Sequence, residues 1–277
     1  MDATALHALA AACGGILFCG DGTTTVATIC KDTRTLQSGD LYWALVGEKF
    51  DGHDFVGAAA ASGAAGAVVS HPVAGLPDTF PLIRVDDTLH ALQQLASWHR
   101  GRLKARVICL TGSNGKTSTK DFAAAVAATR FKVNKTEGNL NNHIGLPLTI
   151  LSAHSTDDVC VWEIGMNHAG EIEPLARLAG PAIALITNIG VAHIEFLGSR
   201  QAIAQEKGML GEALPAGAVL VLPLADDFTP SLAARTKARV VLAGGPDGLH
   251  AENLRPSAQG FDFDLVSGRE RVAAHLP

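Results

Sequence analysis

The chain has 277 residues, of which 47% are hydrophobic and 18% charged. This fits a globular protein of about two domains with a real core. A formal net charge of −5 and the lack of basic clusters exclude a general nucleic-acid binder, though not a site for one anionic small molecule.

No Lys or Arg precedes Lys31, so the apolar residues 6–18 lack the basic flank of a signal peptide. They read instead as an amphipathic helix ended by Gly14-Gly15. No stretch is long and apolar enough to span a membrane. The cysteines Cys13, Cys19, Cys30, Cys109 and Cys160 form no C-x-x-C pair, so a reduced, cytosolic setting is expected. Cys109 and Cys160 lie in apolar runs and read as small core residues.

Residues 32–40 read as a polar loop with a turn at Ser38-Gly39. Residues 41–46 form a buried strand, 47–54 a second polar loop, and 55–61 an Ala-rich helix. Strands follow at 66–70 and 81–85, which together predict a small α/β domain over residues 1–85. Arg34 and Lys49 sit on loops where a phosphate could be met, although each alone is more often a solvated charge. His53, in a Gly-rich polar loop, is expected to be structural or exposed. Asp86 or Asp87 then caps a helix whose Leu89, Leu92, Leu95 and Ala96 share one face. It ends near Arg100-Gly101 and connects to a second domain over residues 86–277.

That domain is organised around Arg106-Val107-Ile108-Cys109-Leu110-Thr111-Gly112-Ser113-Asn114-Gly115-Lys116-Thr117-Ser118-Thr119-Lys120. An apolar run ends in a glycine turn, then Lys-Thr, then a helix reaching Ala128: buried strand, phosphate loop, helix. Tightly turned backbone N–H groups make an anion nest, and the helix N-terminus adds partial positive charge. Thr111, Gly112, Ser113, Asn114, Gly115, Lys116, Thr117 and Ser118 are therefore the expected nucleotide-binding stretch. Lys116 can reach the outer phosphates and the Thr117 hydroxyl can hold Mg²⁺. Counted from Gly112, the spacing is one residue shorter than G-x-x-x-x-G-K-[ST]. A plain Gly-rich turn with a solvated lysine is the bland reading; strand, turn, Lys-Thr and helix in that order favour the nest.

Residues 136–147 hold Asn139, Asn141 and Asn142 and form a loop, either turn-rich surface or the lining of a polar ligand. Residues 159–165 form a strand that leads to Glu163. A carboxylate at the carboxyl end of a buried strand lies on the rim where Mg²⁺ needs oxygen ligands, which is favoured over a strand-end cap. Residues 181–190 repeat the device and place Asn188, His193 and Glu195 on the same rim. His193 is a candidate metal ligand, phosphate contact or core histidine. Ser199 caps the next helix, on which nothing marks Lys207 as special. Strands follow at 218–222 and 238–242, and the alternation over 261–265 suits an edge strand or hairpin.

With these segments placed, the sequence resembles the Mur ligases, ATP-dependent enzymes that build the peptide of bacterial peptidoglycan. The resemblance rests on Asp32-Thr33-Arg34, Gly52-His53-Asp54, the phosphate loop, Gly138-Asn139-Leu140-Asn141-Asn142-His143-Ile144-Gly145-Leu146-Pro147, Glu163-Ile164-Gly165-Met166-Asn167-His168, Asn188-Ile189-Gly190-Val191-Ala192-His193 and Ala204-Gln205-Glu206-Lys207-Gly208. It implies a small N-terminal α/β domain that binds a UDP-linked substrate and a P-loop-type parallel-sheet ATP-binding domain. The implied member adds D-Ala-D-Ala to UDP-N-acetylmuramoyl tripeptide through an acyl phosphate, as a cytoplasmic monomer using ATP and Mg²⁺.

On this resemblance Lys116, Glu163, His193 and Lys207 are catalytic, and Thr117, Glu163, His193 and a carbamylated Lys207 hold metal. Asn188 joins the nucleotide-binding residues; Thr33, Arg34, Asn142 and Asn167 bind substrate. Two departures stand out. Leu224-Ala225-Asp226 occupies the place of the family's Asn-Ala-Asp, whose Asn contacts adenine. The family's C-terminal domain and the end of its central domain are absent, so little turnover is expected from these residues alone. Another Mur-type ligase (tripeptide-forming or folylpolyglutamate-synthetase-like) and a non-catalytic nucleotide-binding module are the alternatives.

Overall fold

The computed structural model describes residues 1–245 and 248–276. In chain order come β1 (Thr4–Ala5), α1 (Leu6–Ala12), β2 (Ile16–Cys19), β3 (Thr25–Val26), β4 (Ile29–Cys30) and β5 (Leu41–Trp43). A 3-10 turn at Gly52–Phe55 leads to α2 (Val56–Ala61), β6 (Gly66–Val69), β7 (Leu82–Arg84) and α3 (Thr88–Arg102). Next are β8 (Arg106–Thr111), α4 (Lys116–Ala128), β9 (Val133–Lys135), α5 (Gly145–Ser152) and β10 (Val159–Glu163). The remainder is α6 (Ile172–Ala179), β11 (Ile183–Ile186), α7 (Ile194–Leu197), α8 (Arg200–Glu212), β12 (Val219–Pro223), α9 (Thr229–Ala234) and β13 (Arg239–Ala243), then β14 (His250–Ser257), β15 (Gly260–Ser267) and β16 (Glu270–Leu276). The chain divides into two compact units: Met1–Arg106 with Ala124–Trp162, and Val107–Ala123 with the residues from Glu163 onward.

The first unit is built on a five-stranded sheet in the order β2-β7-β6-β5-β4. Its strands are parallel except β2, which runs antiparallel to β7. Every residue of β5 and β6 is buried, as their apolar runs require. The Trp43 indole N–H is satisfied by the Thr88 carbonyl at 2.7 Å, which ties β5 to the start of α3. Asp87 is the cap of α3, its carboxylate accepting the His90 N–H at 2.7 Å. The helix expected to end at Gly14-Gly15 is α1. It ends at Ala12, and after Gly14, at φ +69°, the chain returns as strand β2. β9 pairs parallel with β10, and α3 packs on α5.

The second unit holds β13, β12, β11 and β8, hydrogen-bonded in that order and all parallel. Cys109 is fully buried in β8, as its apolar neighbours predict. α8 is capped by the Ser199 hydroxyl, which accepts the Ala202 N–H at 3.1 Å. The alternating residues 261–265 lie in β15, which forms antiparallel hairpins with both β14 and β16, so the hairpin reading holds while the edge reading does not, β15 being the middle strand. Successive side chains of a strand point to opposite faces, so Phe261, Phe263 and Leu265 share one face and Asp262 and Asp264 the other. No helix among the described residues is long and apolar enough to cross a membrane.

Candidate active site

β8 ends at Thr111, and the chain turns through residues 112–115 into α4, as the glycine spacing predicts. Gly112 admits no side chain, because a Cβ there would stand 1.8 Å from Thr187 Oγ1. Gly115 has φ +77°, a conformation that glycine adopts without strain. The residues after β11 hold this loop. Asn188 Nδ2 donates to the Asn114 carbonyl at 3.0 Å, and the Asn114 N–H donates to Asn188 Oδ1 at 3.1 Å. The Thr187 hydroxyl donates to the same carbonyl at 2.6 Å, and Ser113 Oγ accepts the Gly190 N–H at 2.9 Å. Asn188 thus braces the loop from below through both ends of its amide.

At the head of α4 the Lys116 ammonium donates to the Gly112 carbonyl at 3.0 Å, folding back over its own loop. The Thr117 hydroxyl donates to Glu163 Oε2 at 3.0 Å. Glu163 is buried, at 2% exposure, at the end of β10. A hydroxyl and a carboxylate oxygen beside a phosphate loop are the hard oxygen donors that Mg²⁺ selects, so the residues present fit that ion. Thr111 Oγ1 is buried without a hydrogen-bond partner at the start of the same loop.

Lys207 lies on α8 at 1% exposure, so it is no solvated helix lysine. Burial, and then the charge of Lys116, pull its ammonium down to about 7 from the ordinary 10.5, while Glu206 partly opposes the shift. Glu206 itself was not marked by sequence reasoning. It is buried, and its carboxylate accepts the Gly170 and Ile172 N–H groups at 2.8 Å each. It thereby anchors to α8 the segment between Glu163 and α6 that carries Asn167. Asn167 is further fixed through its N–H to Glu171 Oε2 at 2.7 Å. His193 is the N-cap of α7 at φ 64°. Asp226, in the Leu224-Ala225-Asp226 segment, accepts the Ile189 N–H at 2.7 Å, and Leu224 is 45% exposed.

The remaining expected residues lie in the first unit. Thr33 and Arg34 line a cavity of about 510 Å³. Lys31 and Arg34 supply positive charge there, while Tyr42, Phe50, Phe55 and Ile144 supply apolar and aromatic wall. Asp32 holds the Arg34 guanidinium through Nε at 2.8 Å and Nη2 at 2.5 Å, and that ion pair keeps the Asp32 carboxyl well below the usual range. The Arg34 side chain nevertheless stays 87% exposed. Asn142 serves the backbone: its Oδ1 accepts the Ile144 and Gly145 N–H groups at 3.1 and 2.8 Å, opening α5. The aromatic lining is not legible in the sequence because Tyr42 comes from β5, Phe50 from a loop and Phe55 from the 3-10 turn.

Strand, phosphate loop and helix, with a hydroxyl–carboxylate pair at the loop, define a phosphate-loop α/β protein. The model of the Mur ligase middle domain matches residues 110–277, and that of the Mur ligase family catalytic domain matches residues 25–100. The chain belongs to the Mur ligase family. The UDP-N-acetylmuramoyl-tripeptide--D-alanyl-D-alanine ligase of Bacillus subtilis is 41% identical over 242 residues, covering 87% of this chain and 53% of that protein. The ligase of the same name from Escherichia coli is 36% identical over 257 residues, covering 91% and 56%. The crystal structure of MurF from Acinetobacter baumannii superposes with a TM-score of 0.89 at 31% identity, over 100% of this chain and 61% of that one. MurF ligase from Thermotoga maritima, in complex with ADP, gives 0.77 at 25% identity over 90% and 58%. The chain thus spans only 53–61% of the first three relatives' length.

Proposed function

We propose that this chain forms the UDP-substrate-binding and ATP-binding parts of a ligase that joins D-Ala-D-Ala to UDP-N-acetylmuramoyl tripeptide. The carrying observation is the Thr117–Glu163 pair, 3.0 Å apart, at the head of a phosphate loop in a chain of this family. The names of its relatives supply the substrates. In this reading residues 1–85 form the UDP-substrate domain and residues 86–277 the ATP-binding domain of a cytoplasmic monomer.

A carboxylate oxygen of the tripeptide attacks the γ-phosphorus of ATP, the bond to the ADP oxygen breaks, and an acyl phosphate forms. The amine nitrogen of D-Ala-D-Ala then attacks the acyl carbon; inorganic phosphate leaves and the amine loses its proton. Such chemistry asks the protein mainly for positioning and charge neutralisation. Loop N–H groups from residues 112–117 cradle the phosphates, with Lys116 neutralising the β and γ oxygens. Thr117 and Glu163 hold Mg²⁺, whose charge offsets that of the triphosphate. On the family resemblance, His193 and a carbamylated Lys207 would hold a second metal. A buried lysine at about 7 is largely the neutral amine in mildly alkaline solution, the form that reacts with carbon dioxide. Thr33 and Arg34 hold the uridine nucleotide, and Asn142 and Asn167 shape the substrate loops.

Replacement of Lys116 by Ala tests the reading. Charge-assisted hydrogen bonds contribute about 1.5–3 kcal/mol each. ATP affinity should therefore fall roughly ten- to a hundredfold, with UDP affinity unchanged. Equal ATP affinity in the variant would sink the proposal. A preference for UDP-tripeptide over UDP-dipeptide and folate separates this ligase from its family alternatives.

A further inference from the structure

His53 is 3% exposed and does not line the first unit's cavity, yet both nitrogens of its ring are bonded to residues beside the loop that does. Its Nε2 accepts the Ser70 N–H at 2.8 Å, just past the end of β6. An acceptor Nε2 leaves the ring proton on Nδ1, which meets Asp51 Oδ1 at 2.5 Å. The His53 N–H donates to the same oxygen at 2.9 Å. His71 stacks on the His53 ring at 3.7 Å between centroids, and its Nε2 lies 3.2 Å from Asp51 Oδ2. Asp51, His53 and His71 bring together three potential metal ligands, one carboxylate and two imidazoles. The Ser70 amide argues against a metal here, because an ion on Nδ1 would move the ring proton to Nε2 and set two N–H groups head to head.

What the lock controls is the backbone on either side of it. Gly52 donates its N–H to the Leu45 carbonyl at 2.8 Å and accepts the Tyr42 hydroxyl at 3.0 Å. A Cβ at Gly52 would stand 2.7 Å from that Leu45 oxygen, so this close approach admits no side chain. Phe50 and Gly52 are cavity wall, as are Tyr42 and Leu45. We infer that His53 is a positioning residue for the UDP-linked substrate, fixing the wall at Phe50 and Gly52 through its bonds to Asp51 and Ser70 without touching the ligand. This rests on the reading of the cavity as the uridine-nucleotide site.

Calorimetric titration of the chain with UDP tests it, using His53→Ala, His53→Gln, His53→Asn and Arg34→Ala. His53→Ala should weaken UDP about tenfold and leave ATP affinity within twofold. A Gln oxygen reaches the Nε2 position and takes the Ser70 N–H, so His53→Gln should recover to within about threefold of the parent. His53→Asn cannot reach Ser70 and should stay about fivefold or more weaker. Should His53→Ala fail to fold, the Gln and Asn variants decide, and equal affinities for the two overturn the inference. Unchanged UDP affinity in His53→Ala overturns it as well. If Arg34→Ala weakens UDP while the His53 variants do not, only this inference fails. If the parent does not bind UDP, or Arg34→Ala binds it equally, the cavity reading fails too.

Discussion

Lys207 shows what one buried charge does to the energetics of the site. Its folded-state value of about 7 lies below the ordinary 10.5, and burial is the main cause. Between those values the unfolded chain binds the proton and the folded chain does not, so stability rises with pH across that window. Below about 7 the full penalty of a buried ammonium remains. Relative to the uncarbamylated lysine, Lys207→Met keeps the length of the side chain and removes the charge. It should therefore stabilise the chain most below pH 7, on the order of a few kcal/mol. The gain should shrink as the pH rises from about 7 towards 10.5. Denaturant melts of parent and variant at pH 6 and pH 9 check this; an equal difference at both would contradict it. The same burial hid Lys207 in the sequence. A lysine on an amphipathic helix reads as solvated, and only packing reveals otherwise. By contrast Cys160, inside the apolar run of β10, is buried as its neighbours predict, and burial pushes its thiol up to about 12.

The junction of α3 with α5 in the first unit depends on one histidine. His99 is buried on the last turns of α3, and its Nε2 bonds the Ala153 carbonyl at the end of α5 at 2.8 Å. Burial lowers its value from 6.5, with the Ala153 bond partly opposing. The folded state therefore favours the neutral ring. That stability is present above about pH 6.5 and is lost as the pH falls through the lowered value. Gln keeps an N–H for Ala153 and does not titrate. His99→Gln should cost about 1 kcal/mol or less at pH 7.5 and lose less stability than the parent on acidification to pH 5. Melting temperatures at the two pH values decide it, and parallel losses would exclude His99 as the source. α3 was legible because Asp87 and the Leu89–Leu92–Leu95 spacing carry both its cap and its face. α5 was not, because Asn142 makes the preceding residues read as loop and Pro147 sits in the helix's first turn, where proline is tolerated. β9 has three partly buried residues and no apolar run, while β14 and β16 are exposed on most positions, so neither pattern signals a strand. The phosphate loop was the opposite case. Its glycines, Lys-Thr and flanking strand and helix are contiguous, so chemistry and geometry share one stretch.

At the scale of the whole molecule, the two proposed binding sites fall in separate compact units. The cavity with Arg34 belongs to the first, and the loop with Lys116, Thr117 and Glu163 to the second. The residues that line the cavity and those of the loop do not overlap, so binding to each should survive loss of a side chain in the other. Sites without shared partners contribute nearly additively. Arg34→Ala should therefore change UDP affinity alone, Lys116→Ala should change ATP affinity alone, and the double variant should show the sum of the two free-energy losses to within about 0.5 kcal/mol. Amide formation is a stricter demand, because both ligands and the incoming amine must be held together. The chain spans 53% of the Bacillus subtilis relative. Taken alone, the 277 residues should bind both nucleotides yet release little phosphate with UDP-tripeptide and D-Ala-D-Ala. Joining them to the remaining segment of that relative should raise the rate by orders of magnitude, since positioning alone contributes about 7–11 kcal/mol to bimolecular chemistry. Full turnover from the 277 residues alone would show that the two units are sufficient for the reaction.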